Sequence, residues 1–211
     1  MATRYTLEAE IVDDLQRSDL TTQVTKAVAT AIKAYEEERF FFNEAYAVSV
    51  TLSSSVAFLA LSALPTRILQ FDRVRLKQST NTYSDLCKRD YSWIMARQDV
   101  VALAQPYEYC IYNEKLMFDS YAASNYTLVL DGLKSLGNSA SNTYSTSSSI
   151  AWFDNAYELI RHRAKRELYM HVLKDANLAA ASKLAEDDEY RLLKNKSYGR
   201  EATGQIMPTE F

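Results

Sequence analysis

Apolar residues recur at helical spacing near both ends of this chain and at strand spacing through its middle. Leu7, Ile11 and Leu15 return every four residues, which predicts a short amphipathic helix reaching about Arg17. Thr6 is its expected N-cap, with Glu8 and Glu10 in the first turn, where the helix dipole favours acids. Ser18-Asp19 breaks that helix and caps another. There Leu20, Val24, Ala27, Val28, Ala31, Ile32 and Tyr35 form one stripe, running on to Glu36-Glu37-Glu38-Arg39. Phe40-Phe41-Phe42 ends the pattern, because three adjacent aromatics cannot share a helix face.

From Tyr46 the period becomes two. Tyr46, Val48, Val50 and Leu52 alternate with Ala47, Ser49, Thr51 and Ser53, the signature of a half-buried strand. A second strand, Phe58 to Leu61, is stopped by Pro65. Ile68 to Lys77 is a third, and its apolar parity switches between Phe71 and Val74, which predicts a bulge. Asp85 to Arg97 reads as a short helix with Leu86, Tyr91, Trp93 and Ile94 available for packing, Trp93 more as core than as an interface anchor. Glu108–Tyr112, Leu116–Tyr121 and Tyr126–Leu133 read as strands joined by turns at Asn113-Glu114 and Ala123-Ser124-Asn125. Residues 135–149, rich in Ser, Asn and Thr, read as a loop.

Helical spacing then returns. Phe153, Ala156, Tyr157, Ile160, Ala164, Leu168 and Val172 stripe one helix, Asp175 breaks it, and Ala176 to Tyr198 form the next. Gly199 is its expected C′ residue, and Arg200 to Phe211 shows no period. The expected class is therefore α+β, mainly α. N- and C-terminal helix pairs (about 6–39 and 150–198) form a bundle in a single domain. An antiparallel β subdomain (about 44–134) is inserted, and an extended C-terminal arm (199–211) follows.

Composition narrows the function. Of 211 residues, 47% are hydrophobic and 24% charged, the profile of a globular chain. The net charge of −3, with acids and bases interspersed, argues against nucleic acid as the main ligand. Fifteen tyrosines are a surplus suited to protein contacts, since each buries a ring and keeps a polar tip. Cys87 and Cys110 lack metal-like spacing and read as buried free thiols. The charge-free stretch Ala45–Leu64 is long enough to span a bilayer, but its Ser/Thr alternation favours two strands and a turn. The acidic N-terminus is unlike a signal peptide.

Chemistry finds little purchase. Glu36-Glu37-Glu38 and Asp187-Asp188-Glu189 are consecutive, so neither run places paired carboxylates across a cleft. His162 and His171 sit nine apart, on different faces of one helix, and no G-x-S-x-G or Gly-rich phosphate loop occurs. Arg161, Arg163, Lys165 and Arg166 read as ion pairs to an acidic neighbour, with Arg161 and Lys165 on one face and Arg163 and Arg166 on another. Catalytic, cofactor-binding and metal residues are therefore expected to be absent. A muramidase-like enzyme and a general β-rich binding module stand as alternatives to a structural role.

The segments LQRSDLTTQVTKAVATAIKAYEEERFFFNE (15–44), LPTRILQFDRVRLK (64–77), RDYSWI (89–94) and GQIMPTEF (204–211) together carry a resemblance. In order and content they resemble the head-to-tail connector (adaptor) proteins of short-tailed bacteriophages, over nearly the whole chain. Ser53-Ser54-Ser55 departs from the resemblance, standing where a Gly-containing turn is expected. The resemblance implies a homo-oligomeric ring, a dodecamer, docked on the portal protein. It would extend the DNA channel without sequence-specific binding, present a platform to the tail nozzle, need no cofactor or membrane, and sit at the head–tail junction of the virion after synthesis in the host cytoplasm. Mixed charge suggests a subunit that is monomeric or weakly associated alone and assembles on the portal. Gln205, Ile206, Met207, Pro208 and Phe211 are the expected portal-docking arm, since Pro208 forbids a helix and the apolar residues lie beyond the fold.

Overall fold

Thr3, not Thr6, starts the first helix. A computed structural model describes residues 3–79, 82–98, 103–136 and 151–201, the side chains of 200 and 201 excepted. In α1 (Arg4–Leu15) Thr3 and Thr6 form a reciprocal capping box, the Thr6 amide donating to Thr3 Oγ1 at 3.2 Å. The helix starts early because Arg4 is anchored: it donates to Glu8 at 2.7 Å and to the Thr25 carbonyl at 3.0 Å. Glu8 therefore serves a side-chain pair, and no acid lies in the first turn.

A 3₁₀ turn at Ser18–Leu20 leads into α2 (Thr21–Tyr35), where Val24, Ala27, Val28, Ala31 and Ile32 are buried as the stripe requires. This helix stops four residues short of Arg39. Asn43 holds the turn that follows, accepting from the Phe40 amide at 2.8 Å and donating to the Glu38 carbonyl at 2.7 Å. Phe40 can then enter the core, edge-on to Trp152.

The chain divides into two compact units, residues 44–135 falling in one and the N- and C-terminal helices in the other. In the helical unit α4 (Ala151–Asn155) and α5 (Tyr157–Leu168) are followed by a π turn at Tyr169–Leu173. The π turn resets the register, so Val172 leaves the stripe and is exposed. Asp175 caps α6 (Ala176–Glu201), accepting from the Asn177 and Leu178 amides at 3.0 Å each. Gly199 does not end this helix: the helical backbone runs on through it to Glu201. Helix α5 packs against α1, α2 and α6, around a core that includes Leu7, Ile11, Val28, Ile32, Phe40, Trp152, Phe153, Ile160 and Leu168.

The β unit is built on two sheets. Strands β1 (Glu44–Leu52), β3 (Ile68–Lys77), β4 (Tyr83–Asp85) and β10 (Tyr126–Lys134) form an antiparallel sheet in the order β1-β10-β3-β4. The other, β2-β8-β7-β5, comprises β2 (Phe58–Ala60), β5 (Cys87–Lys88), β7 (Glu108–Tyr112) and β8 (Lys115–Phe118). Its β5–β7 contact is parallel, as is a small pair of β6 (Leu103–Ala104) with β9 (Tyr121–Ala122). The chain is thus mixed helix and sheet, with mainly antiparallel pairing.

Two departures from the sequence pattern have local causes, and one expected irregularity is present. A register shift between Ala45 and Val48, with Ala47 at φ 54°, turns Tyr46 outward to 83% exposure, so it does not share the inner face with Val50 and Leu52. Asp85 to Lys88 is extended, not helical: Asp85 ends β4, where it lies opposite Arg75 and Arg73 grips its carboxylate at 2.9 and 2.8 Å, and Cys87–Lys88 form β5 of the other sheet. Helix α3 is left with only Tyr91–Gln98. Between Phe71 and Val74 the register does shift, Arg73 facing Asp131 while Phe71 faces Gly132. A Cβ on Gly132 would collide with the Gln70 carbonyl, so only glycine fits beside that bulge.

Candidate functional site

In the β unit, an aromatic face is assembled by α3 and β7. The Asp90 carbonyl accepts from the Ile94 amide at 3.2 Å and so opens α3. Ile94 is fully buried, and Gln98 Nε2 donates to the Phe118 carbonyl at 2.5 Å, which fixes the helix on the sheet. The start of β7 is set by buried Asp119, which accepts from the Tyr107 and Glu108 amides at 3.1 and 3.3 Å. Trp93, on the outer side of α3, is 51% exposed, contrary to its reading as core. One carboxylate joins it to Arg89, which lies just before the helix: Glu108 accepts from Trp93 Nε1 at 2.6 Å and from Arg89 Nε at 2.9 Å. The Arg89 guanidinium also lies 5.5 Å from the Trp93 ring centre. Beside them Tyr91 and Tyr112 stack at 4.0 Å, and Lys115 sits 4.4 Å over Phe58.

These contacts decide what the face can do. The indole hydrogen bond, opposed by slight burial and helped by Arg89, holds the Glu108 carboxyl below its ordinary range. It is an ionised acceptor, and its two bonds fix the indole and the guanidinium beside it. Rings held in place yet open to solvent lose little freedom when a partner covers them, which suits protein docking.

In the helical unit the basic residues of α5 are neutralised as two separate sets. Arg161 and Lys165 share Asp14, at 2.7 and 3.2 Å. Arg163 and Arg166 share Glu186, at 3.3 and 2.9 Å. Glu186 is buried and also accepts from the Tyr35 hydroxyl at 2.5 Å. Burial works against its charge, but Tyr35 and the two arginines outweigh it and hold the carboxyl below its ordinary value. Glu38, bonded to Lys194 at 2.8 Å, is held low in the same way, burial opposing. Asp187, exposed, is lowered by its bond to Lys183. A glycosidase acid needs a shift in the other direction.

His162 and His171 do not meet. Each lies against the glutamate four residues before it, His162 at 3.7 Å from Glu158 and His171 at 3.4 Å from Glu167. Cys110 is buried, which pushes its thiol up, whereas Cys87 is exposed rather than buried. Among the described residues no cluster of three or more His, Cys, Asp or Glu is placed to hold a metal ion. No helix among them is long and apolar enough to cross a membrane, and the charge-free stretch 45–64 holds β2 and all of β1 but its first residue. Gln205, Ile206, Met207, Pro208 and Phe211 lie outside the described residues. The aromatic face was not singled out in the sequence; the signal for it was the surplus of tyrosine. No family model and no curated protein matches the chain.

Proposed function

We propose that this chain is a structural virion protein, the ring-forming head-to-tail adaptor of a tailed bacteriophage. It docks on the portal, extends the DNA channel and gives the tail its platform. In this reading a bundle of N- and C-terminal helix pairs carries an inserted antiparallel β subdomain, and residues 205–211 serve as the docking arm. The resemblance of four ordered segments supports it. The observation that carries it is the aromatic face around Trp93, whose indole nitrogen is held by Glu108 while its ring stands half open for a partner.

Native mass measurement of the purified protein, alone and mixed with portal rings from the same virion, tests this. The expected result is a monomer or weak association alone and a closed ring on the portal. A stable monomer that ignores the portal would instead mark a general binding module. Turnover of peptidoglycan would mark an enzyme.

A further inference from the structure

Helix α6 buries one side and leaves apolar residues on the other. Ala179, Ser182, Glu186, Leu193 and Ser197 face inward, while Leu184 (69% exposed), Leu192 (52%) and Tyr198 (63%) face solvent. A surface helix ordinarily keeps that side polar. The two turns Arg191–Tyr198 hold three cations and no acid. Lys194 turns inward to Glu38, but Arg191 is exposed and has only a 3.9 Å contact with Asp188.

The same unit carries a matching recess. An open groove of about 360 Å³ beside α1 is lined by Tyr5, Glu8, Ala9, Val12, Asp13 and Thr21. Helix α1 has four acids against one base, and Asp13 is exposed with no ion pair among the described residues. Tyr5 to Asp13 spans eight residues, about 12 Å of helix, as does Leu184 to Leu192. Ridge and recess agree in length, apolar character and opposite charge.

We propose that copies of this chain join head to tail, the outer face of α6 in one copy seating in the α1 groove of the next. The two patches are unlike, so the contact is heterologous and repeats until it closes into a ring or runs on as a filament. This rests on the ring-forming reading and says which surfaces make the ring. Leu184 enters the groove beside Tyr5 and Leu192 over Val12, and Arg191 meets Asp13.

Two experiments on the full chain test the contact without portal. In a Cys87→Ser background, the double variant Tyr5→Cys with Leu184→Cys should oxidise to a ladder of multimers, while an equal mixture of the two single variants should give predominantly dimers. In sedimentation, Asp13→Arg and Arg191→Asp should each weaken self-association about tenfold, and combining them in one chain should restore it. No ladder, no effect of either charge change, or no self-association at any concentration overturns the proposal. A ladder from a protein that does not bind portal upholds this contact and removes the adaptor reading instead. Crosslinking of α6 to the portal in place of a second copy would reassign the surface and also overturn it.

Discussion

Glu186 offers the sharpest test of how the helical unit is held. It is a buried acid serving three partners, Tyr35, Arg163 and Arg166. Glu186→Ala leaves two guanidinium groups facing an empty site. Removing one partner of a fully buried pair costs about 3–5 kcal/mol, but both arginines retain 22% exposure and recover some water, so about 2–3 kcal/mol is expected. At about 2–4 °C per kcal/mol for a chain of this size, melting should fall by about 4–12 °C. Circular dichroism at a helical wavelength reads this. Glu186→Gln, which keeps the shape and part of the hydrogen bonding, should lie between the two. The sign of the pH dependence also follows. Because the folded carboxyl titrates below its ordinary value, its stabilisation is present above that value and is lost as pH falls through the lower folded one. The glutamine variant should therefore lose less stability than the parent on acidification. An alanine variant that melts with the parent would refute the reasoning.

Three further outcomes are expected. Gly132→Ala, which drives a methyl group into the Gln70 carbonyl, should destabilise the β unit by about 1–3 kcal/mol in denaturant unfolding; an unchanged midpoint contradicts the close approach. Trp93→Ala should leave melting within about 1 kcal/mol of the parent, since the ring is half exposed, yet weaken capture by virion partners; a large loss of stability would make Trp93 a packing residue after all. Truncation after Glu201, where α6 ends, should leave melting unchanged and abolish portal binding; a truncated chain that binds as tightly as the full one removes the arm.

Helix α2 was legible from the sequence because its apolar stripe agrees with its propensity and its neighbours, and the same residues are buried. Strand β3 and its bulge were legible for a similar reason: the switch of parity is written in the residues themselves. The pairing of Arg161 with Lys165, and of Arg163 with Arg166, follows from helical spacing, and each pair does share one acid. What spacing cannot supply is the identity of that acid, since Asp14 and Glu186 are distant in sequence. Tertiary structure decided the rest. Asp85 became the end of β4 and Cys87–Lys88 became β5 because Arg73 and the edge of β7 were there to receive them, outweighing local helical preference. Val172 left its stripe through a π turn, and Tyr46 left its face through a bulge, each a single-residue shift that periodicity does not register. Trp93 is exposed because Ile94 and Gln98 determine which side of α3 meets the sheet. Local pattern thus determined which segments are helix and strand wherever one face had one environment; contacts between distant segments determined the ends, the bulges and the surfaces left open.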